Sequence, residues 1–411
     1  MMKKKNILIV TSVFPPEPVT SANLNYDLAV RLSDNYNVTV IHPEPSRPAG
    51  KKYTEEEKCV KGTFSVIVVP SYTHPQSEMK GRMKESISFG KCCAKYIKEH
   101  REEIEFVYNC SWQLFGYYLV AKACVKYDIP YMIPIQDIYP ETIFTGRKLP
   151  VPVKALASMI LRPIDKYYLK NAAVIRTISE EMKSYLVSTR HLDAEKFLVV
   201  NNWQDDENFT YIPAGEADGP FKFVYLGSIN NHSNVELMIC AFHKANLPNA
   251  KLMLYGGGNR KGVCQELVKE NNAKNIEFSL VDRKDVPAVQ TGADVLILAL
   301  PTGNGTLCLP SKLTSYMLSG RPIIASVDLD STTASYIQQS QSGIVVPPDN
   351  EEALMDAFSK MANKGRDELV IMGERSRKFA LEHLTKQVNL SIVIASIEKE
   401  LMKKDNKVCK K

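Results

Sequence analysis

Short apolar runs bounded by turn residues alternate along this chain with segments whose apolar positions recur every three or four residues. Ile7–Val13, Asn37–Ile41, Ser65–Val69, Phe106–Tyr108, Tyr131–Ile135, Val174–Ile178 and Phe197–Val200 are runs of the first kind. They are too short for helices and rich in Val and Ile, which predicts strands of a buried parallel sheet. Leu24, Leu28, Ala29 and Leu32 share one helical face within 21–33, and further helices are predicted near 84–100, near 113–127 and from Ser179 onward. Strand and helix in alternation imply βαβ units, hence a sheet with helices on both faces.

Residues 201–220 are polar and turn-rich, which reads as a linker. The alternation then restarts. Phe223–Leu226, Lys251–Tyr255, Ile276–Phe278, Val295–Leu298, Pro322–Ala325 and Gly343–Val346 are strand candidates, with helices at Val235–Lys244, Val263–Asn271 and Glu351–Lys360. The expected organisation is an α/β chain of two doubly wound, Rossmann-like domains, 1–200 and 221–373, facing across a cleft. An amphipathic helical region, 374–411, is expected to pack back on the first domain. Ligands of such sheets bind beyond the carboxyl ends of the strands.

At 411 residues, with 44% hydrophobic and 24% charged residues, the chain has the composition of a globular protein, and no run is long and apolar enough to span a bilayer. Its first residues resemble a signal n-region, but Phe14-Pro15-Pro16 follows and no small-residue cleavage site does, so a cytoplasmic protein is expected. Nine cysteines show no CxxC spacing, which argues against a zinc site or a disulfide framework. The net charge of +6 is unevenly spread: Lys80, Arg82, Lys84, Lys91, Lys95 and Lys98 crowd one segment, and Lys403, Lys404, Lys407, Lys410 and Lys411 another. Such patches suit anionic lipid or nucleic acid, and equally a solvated helix face. Nucleic acid is disfavoured, because the cations are not interleaved with aromatic residues in any known module.

Three turns of the second half follow strands and have the composition of phosphate sites. They are Gly227-Ser228-Ile229-Asn230, then Gly256-Gly257-Gly258-Asn259, then Pro310-Ser311-Lys312-Leu313 at the start of a helix that carries Ser315. Glycines let backbone amides approach a phosphate, a helix N-terminus attracts one, and Lys312 adds a full charge. No GxGxxG with a downstream ribose-binding acid is present, nor a P-loop, which argues against a nicotinamide cofactor and against a P-loop nucleotidase. In the first half, Gln136-Asp137 and Glu141 follow the strand Tyr131–Ile135, and a carboxylate there could take a proton from a hydroxyl or simply cap a helix. Pro15-Pro16-Glu17 ends the first strand.

Taken in order, FPPEPVTSANLNYDLAVRLS from Phe14, QDIYPE from Gln136, YLGSIN from Tyr225, YGGGNR from Tyr255, ADVLILALP from Ala293 and PSKLTSYMLSGRPIIASVD from Pro310 resemble family 4 glycosyltransferases over nearly the whole chain. The nearest flavour is the bacterial branch that builds O-antigen, colanic acid or capsule. The resemblance implies the GT-B fold and retaining transfer from a nucleotide diphosphate sugar to a lipid-linked glycan. It implies acceptor binding by the first domain and donor binding by the second. Asp137 and Glu141 would then be catalytic. Pro15, Pro16, Glu17 and Gln136 would meet the acceptor. The three turns, with Ser315, would hold the donor. No metal or other cofactor is required on this reading. The basic, Met-containing segment from Met79 to Lys91 would rest on an anionic membrane, placing the protein peripherally on the inner face of the cell membrane. The chain departs from the family pattern at Ser228 and Ser233, where an Arg and a Lys are usual, and at Leu307 and Ser315, where a Glu pair is usual. Two other readings remain: a non-catalytic assembly scaffold, and a sugar-nucleotide 2-epimerase, which would act without an acceptor.

Overall fold

The computed structural model describes residues 4–74, 78–112, 114–144, 151–203, 211, 219–303 and 310–408. The expected positions Leu307, Lys410 and Lys411, and most of 201–220, lie outside the described residues. The chain divides into two compact units: 1–178 with 183–200 and 390–411, and 179–182 with 201–389.

The first unit holds a seven-stranded, all-parallel sheet of β1 (Asn6–Thr11), β2 (Asn37–Pro43), β3 (Ser65–Val69), β4 (Phe106–Cys110), β5 (Tyr131–Ile135), β6 (Val174–Thr177) and β7 (Phe197–Val199). Their spatial order is β3-β2-β1-β4-β5-β6-β7. The second unit repeats the plan with β8 (Phe221–Leu226), β9 (Ala250–Tyr255), β10 (Ile276–Ser279), β11 (Val295–Ala299), β12 (Ile323–Ser326) and β13 (Gly343–Val346), in the order β10-β9-β8-β11-β12-β13. In each sheet the chain winds outward from its first strand, then returns to that strand's other side. Such a reversal opens a crevice at the strands' carboxyl ends, here beside β1 and β4 and beside β8 and β11.

Alternation along β8 shows why both faces are covered. Phe223 and Tyr225 pack into one apolar layer with Phe242 and Phe358, while Val224 and Leu226 pack into the other with Leu313, Tyr316 and Met317. The second layer seats the helix Ser311–Leu318 against β8, because Leu313, Tyr316 and Met317 are fully buried at helical spacing.

Two features differ from expectation. A long helix, Val151–Asn171, enters between β5 and β6 and carries Pro163 in its interior; that proline masks the helical period in the sequence. The single amphipathic region expected from 374 is two helices, Arg366–His383 and Lys386–Val408, and the return to the first unit begins at Leu390. Thr385 separates them, accepting the Val388 N–H with its hydroxyl. Leu390, Val393, Ile397 and Leu401 form the buried stripe of the last helix, and Tyr36 donates to Glu398 at 3.2 Å.

Candidate functional site

The second unit's site is built around Lys312. Pro310 stands at the N-cap of Ser311–Leu318, Lys312 lies in its first turn, and the buried Leu313 anchors that turn, its N–H bonded to the Pro310 carbonyl at 2.9 Å. The Lys312 ammonium donates to the Tyr225 hydroxyl at 2.7 Å and lies 4.3 Å from the centroid of that ring. Tyr225 passes its own hydrogen to the Ser228 carbonyl at 2.7 Å. Among the described residues no carboxylate forms an ion pair with Lys312. Burial therefore pulls its pKa down to about 8. A desolvated ammonium with only neutral partners is a strong attractor for an anion.

Gly227 and Gly256 make this arrangement possible. A Cβ on Gly227 would lie 2.2 Å from Lys312 Cε and 2.3 Å from its Nζ, so a side chain there would evict the ammonium. Gly256 has φ +153° and presses on the Gly227 carbonyl, which a Cβ would meet at 1.9 Å. The amides of these two glycines are not offered to a ligand. Gly227 donates to Tyr255 O at 2.9 Å and Gly256 to Ser279 O at 3.0 Å, which extends the strand ladder. Here glycine allows close approach of strand ends, and the positive charge comes from Lys312.

The result is a pocket of about 430 Å³ whose wall includes Gly227, Gly256, Gly257, Lys312 and Ser315. Tyr255, Leu280, Val281 and Val286 supply its apolar side. Ser228, Asn230, Gly258 and Asn259 do not line it. Asn230 accepts the His232 N–H at 2.9 Å and its own N–H bonds Ser233 Oγ, so both residues close the turn before the helix Val235–Ala245. Sequence reasoning missed three residues of this site. Tyr225 carries the ammonium. Tyr316 clamps the end of β8, accepting the Leu226 N–H at 2.9 Å. Gln290 lines the pocket and donates to Ser315 Oγ at 3.1 Å. The available signal for Gln290 was a polar residue one turn from Val286 on a short apolar helix.

In the first unit Asp137 is exposed and Gln136 half-buried, two residues and one beyond the carboxyl end of β5. Glu141 is committed elsewhere. Its two oxygens accept from the buried Arg190 at 2.8 and 2.7 Å, and Arg162 and Tyr185 each approach at 3.1 Å. Burial raises its pKa, but the Arg190 bonds outweigh that and hold the carboxyl below its ordinary value. Arg190 also reaches Asp165 at 2.7 Å and the Tyr139 carbonyl at 2.8 Å, so Glu141 ties down the loop that carries Asp137. Glu17 is likewise inward-facing. It is 3% exposed and accepts the Ser46 and Arg47 amides, both at 2.8 Å, while Pro15 and Pro16 stay half-buried. Desolvation raises the Glu17 pKa. Arg82, counted in the basic segment, also turns inward, toward Glu85 at 3.4 Å and the Trp112 ring. Among the described residues no group of three or more His, Cys, Asp or Glu side chains could hold a metal ion.

Comparison with known proteins decides the family. The sequence model described as "Glycosyltransferase Family 4" matches residues 21–208, and that of "Glycosyl transferases group 1" matches 220–364. The chain belongs to glycosyltransferase family 4. A "Probable glycosyltransferase WbjE" of Pseudomonas aeruginosa is 20% identical over 235 residues, which are 54% of this chain and 58% of that protein. This family 4 chain therefore aligns with little more than half the length of that relative. Among solved structures, a glycosyltransferase from Rickettsia africae superposes with a TM-score of 0.69 at 14% identity, covering 98% of this chain and 99% of that one. Anabaena HepE in complex with UDP and glucose superposes at 0.65 and 12% identity, over 96% and 100%. At such identities the likeness establishes the GT-B fold of the chain.

Proposed function

We propose that the protein transfers a sugar from a nucleotide diphosphate sugar to a hydroxyl of a lipid-linked glycan in the synthesis of a cell-surface polysaccharide, with retention of anomeric configuration. The observation that carries this reading is the buried Lys312 ammonium, held by Tyr225 and Gly227 in an open pocket with no described carboxylate to neutralise it. A departing diphosphate is the group that such a charge stabilises, and it does so most where negative charge develops on the leaving oxygen. The bond from the anomeric carbon to the diphosphate oxygen breaks, and the acceptor oxygen bonds to that carbon. The nucleoside diphosphate leaves, and the acceptor's proton passes to Asp137, in the role of general base. Glu141 keeps the Asp137 loop in place through Arg190. Diphosphate charge is met by Lys312, and no metal step is invoked.

The lipid-linked acceptor suits a protein that rests on a membrane surface. No described helix is long and apolar enough to cross a bilayer. The helix Met79–Glu99 opens with exposed Met79, Lys80, Met83 and Lys84, which mixes cations with apolar side chains over its first turns, as surface-lying helices do. The protein then works at the inner face of the cell membrane. The test is an assay with a panel of sugar nucleotides and lipid-linked acceptors, together with sedimentation on anionic liposomes. Sugar transfer with loss of nucleoside diphosphate supports the reading. Absence of both transfer and nucleotide binding refutes it, and isomerised donor formed without acceptor would replace it with an epimerase.

A further inference from the structure

Gln290 is 2% exposed, lines the pocket beside Lys312, and carries a buried Oε1 with no hydrogen-bond partner. Its orientation is set by the neighbouring network. Ser315 donates its hydroxyl hydrogen to the Lys312 carbonyl at 2.9 Å, so Ser315 Oγ has only acceptor capacity left for Gln290. The amide must therefore present Nε2 to Ser315, at 3.1 Å, which leaves Oε1 as the orphan. A buried carbonyl oxygen without a donor is costly, so a ligand that supplies the donor gains more than an ordinary hydrogen bond. The missing partner is a hydrogen-bond donor on whatever fills the pocket.

Which part of a ligand that is follows from spacing. Lys312 and Ser315 are three residues apart on one helix, so they are neighbours about 5–6 Å apart along its surface. With the diphosphate at Lys312, the next chemical unit of a nucleoside diphosphate is the ribose, whose hydrogen-bond donors are hydroxyls. The base lies farther on, toward the apolar side that contains Leu280 and Val281. Resting on the nucleotide reading above, we propose that Gln290 selects ribonucleotides, its Oε1 accepting a hydrogen bond from a ribose hydroxyl of the bound nucleoside diphosphate. Ser315 is the positioning residue: it takes the amide nitrogen and leaves the oxygen for the ligand. A neutral amide on the helix Val286–Thr291 thus takes the contact, and Ser315 need not reach the ligand.

The experiment is calorimetric titration of the whole chain with UDP, GDP and ADP, followed by the 2′-deoxy and 3′-deoxy forms of the tightest of these. Wild type should prefer the ribonucleotide over at least one deoxy form by roughly three- to tenfold, the worth of one hydrogen bond to a buried acceptor. Gln290→Leu should bind ribo and deoxy forms alike, and Gln290→Glu, which keeps an acceptor, should retain a preference. Gln290→Leu removes the costly orphan together with one bond to Ser315, and the two roughly offset, so the variant should melt within a few degrees of wild type, which separates the effect from misfolding. Should Gln290→Leu fail to fold, loss of the preference in Gln290→Glu overturns the proposal. Nucleotide binding with no ribo preference, or with a preference that survives Gln290→Leu, also overturns it while leaving the nucleotide reading intact. Binding of no nucleotide overturns both.

Discussion

Lys312→Met replaces the ammonium with an unbranched side chain of similar length. Burial holds the Lys312 pKa at about 8 against an ordinary 10.5, so keeping it charged costs about 3 kcal/mol at neutral pH. The variant removes that cost and loses the bond to Tyr225, worth about 1 kcal/mol. It should therefore be more stable than wild type by about 2 kcal/mol, a rise of several degrees in melting temperature. The sign depends on pH. Because the folded pKa is the lower one, the cost is fully present below pH 8 and fades between pH 8 and 10.5, so the variant's advantage shrinks over that window. Binding moves the opposite way. Losing a charged contact to the diphosphate costs about 1.5–3 kcal/mol, so UDP or its counterpart should bind about ten- to a hundredfold more weakly. Wild-type affinity should be level up to pH 8 and then fall about tenfold per pH unit as the ammonium deprotonates, while the variant stays level. Differential scanning fluorimetry and calorimetric titration at pH 7 and 9 read both quantities. A variant that melts lower at pH 7 and still binds nucleotide as tightly as wild type refutes the reasoning.

Gly227→Ala places a methyl group 2.3 Å from the Lys312 ammonium, and nucleotide affinity should drop at least tenfold with far-UV circular dichroism unchanged; undiminished affinity would reject Lys312 as the anion's partner. Asp137→Asn should lower the transfer rate by about a hundredfold or more without altering nucleotide affinity, and an unaffected rate in a transfer assay would remove Asp137 from the chemistry. Glu141→Gln strips the buried Arg190 of a charged partner and should destabilise the first unit by about 3 kcal/mol in urea denaturation. The Glu141 carboxyl is held below its ordinary value, so this contribution is present at neutral pH and disappears as pH falls through its folded pKa. A wild-type acid-unfolding profile in the Glu141→Gln variant would count against the network.

The strands were legible because each is a short run dominated by apolar residues between turns, and the central ones, buried on both faces, have little room for anything else. Lys312 was legible as a cation in the first turn of a helix that follows a strand. Its dependence on Tyr225 was not, since Tyr225 reads simply as one more apolar position of β8. Gln290 stayed hidden for a related reason: only the fold brings its helix within 3.1 Å of Ser315. Glu17 and Glu141 show how much the surroundings of a residue add. A carboxylate at a strand end invites a chemical role, yet Glu17 is consumed by two backbone amides and Glu141 by Arg190, partners that lie 29 to 49 residues away. Spacing along the chain shows where a group is placed, and only its surroundings show whether it is free.

The stripe of Leu390, Val393, Ile397 and Leu401 has a consequence for biosynthesis. These residues complete the core of the first unit, yet they are translated only after the whole second unit has been made. The first unit must therefore wait, with Lys5 and Tyr36 lacking the helix that they bond. During that interval the waiting apolar surface is open to chaperones and to other copies of the chain. A truncation before Leu390 would make the delay permanent. It should leave the second unit folded and the first prone to aggregate, which limited proteolysis of the truncated chain would show as a single protected fragment.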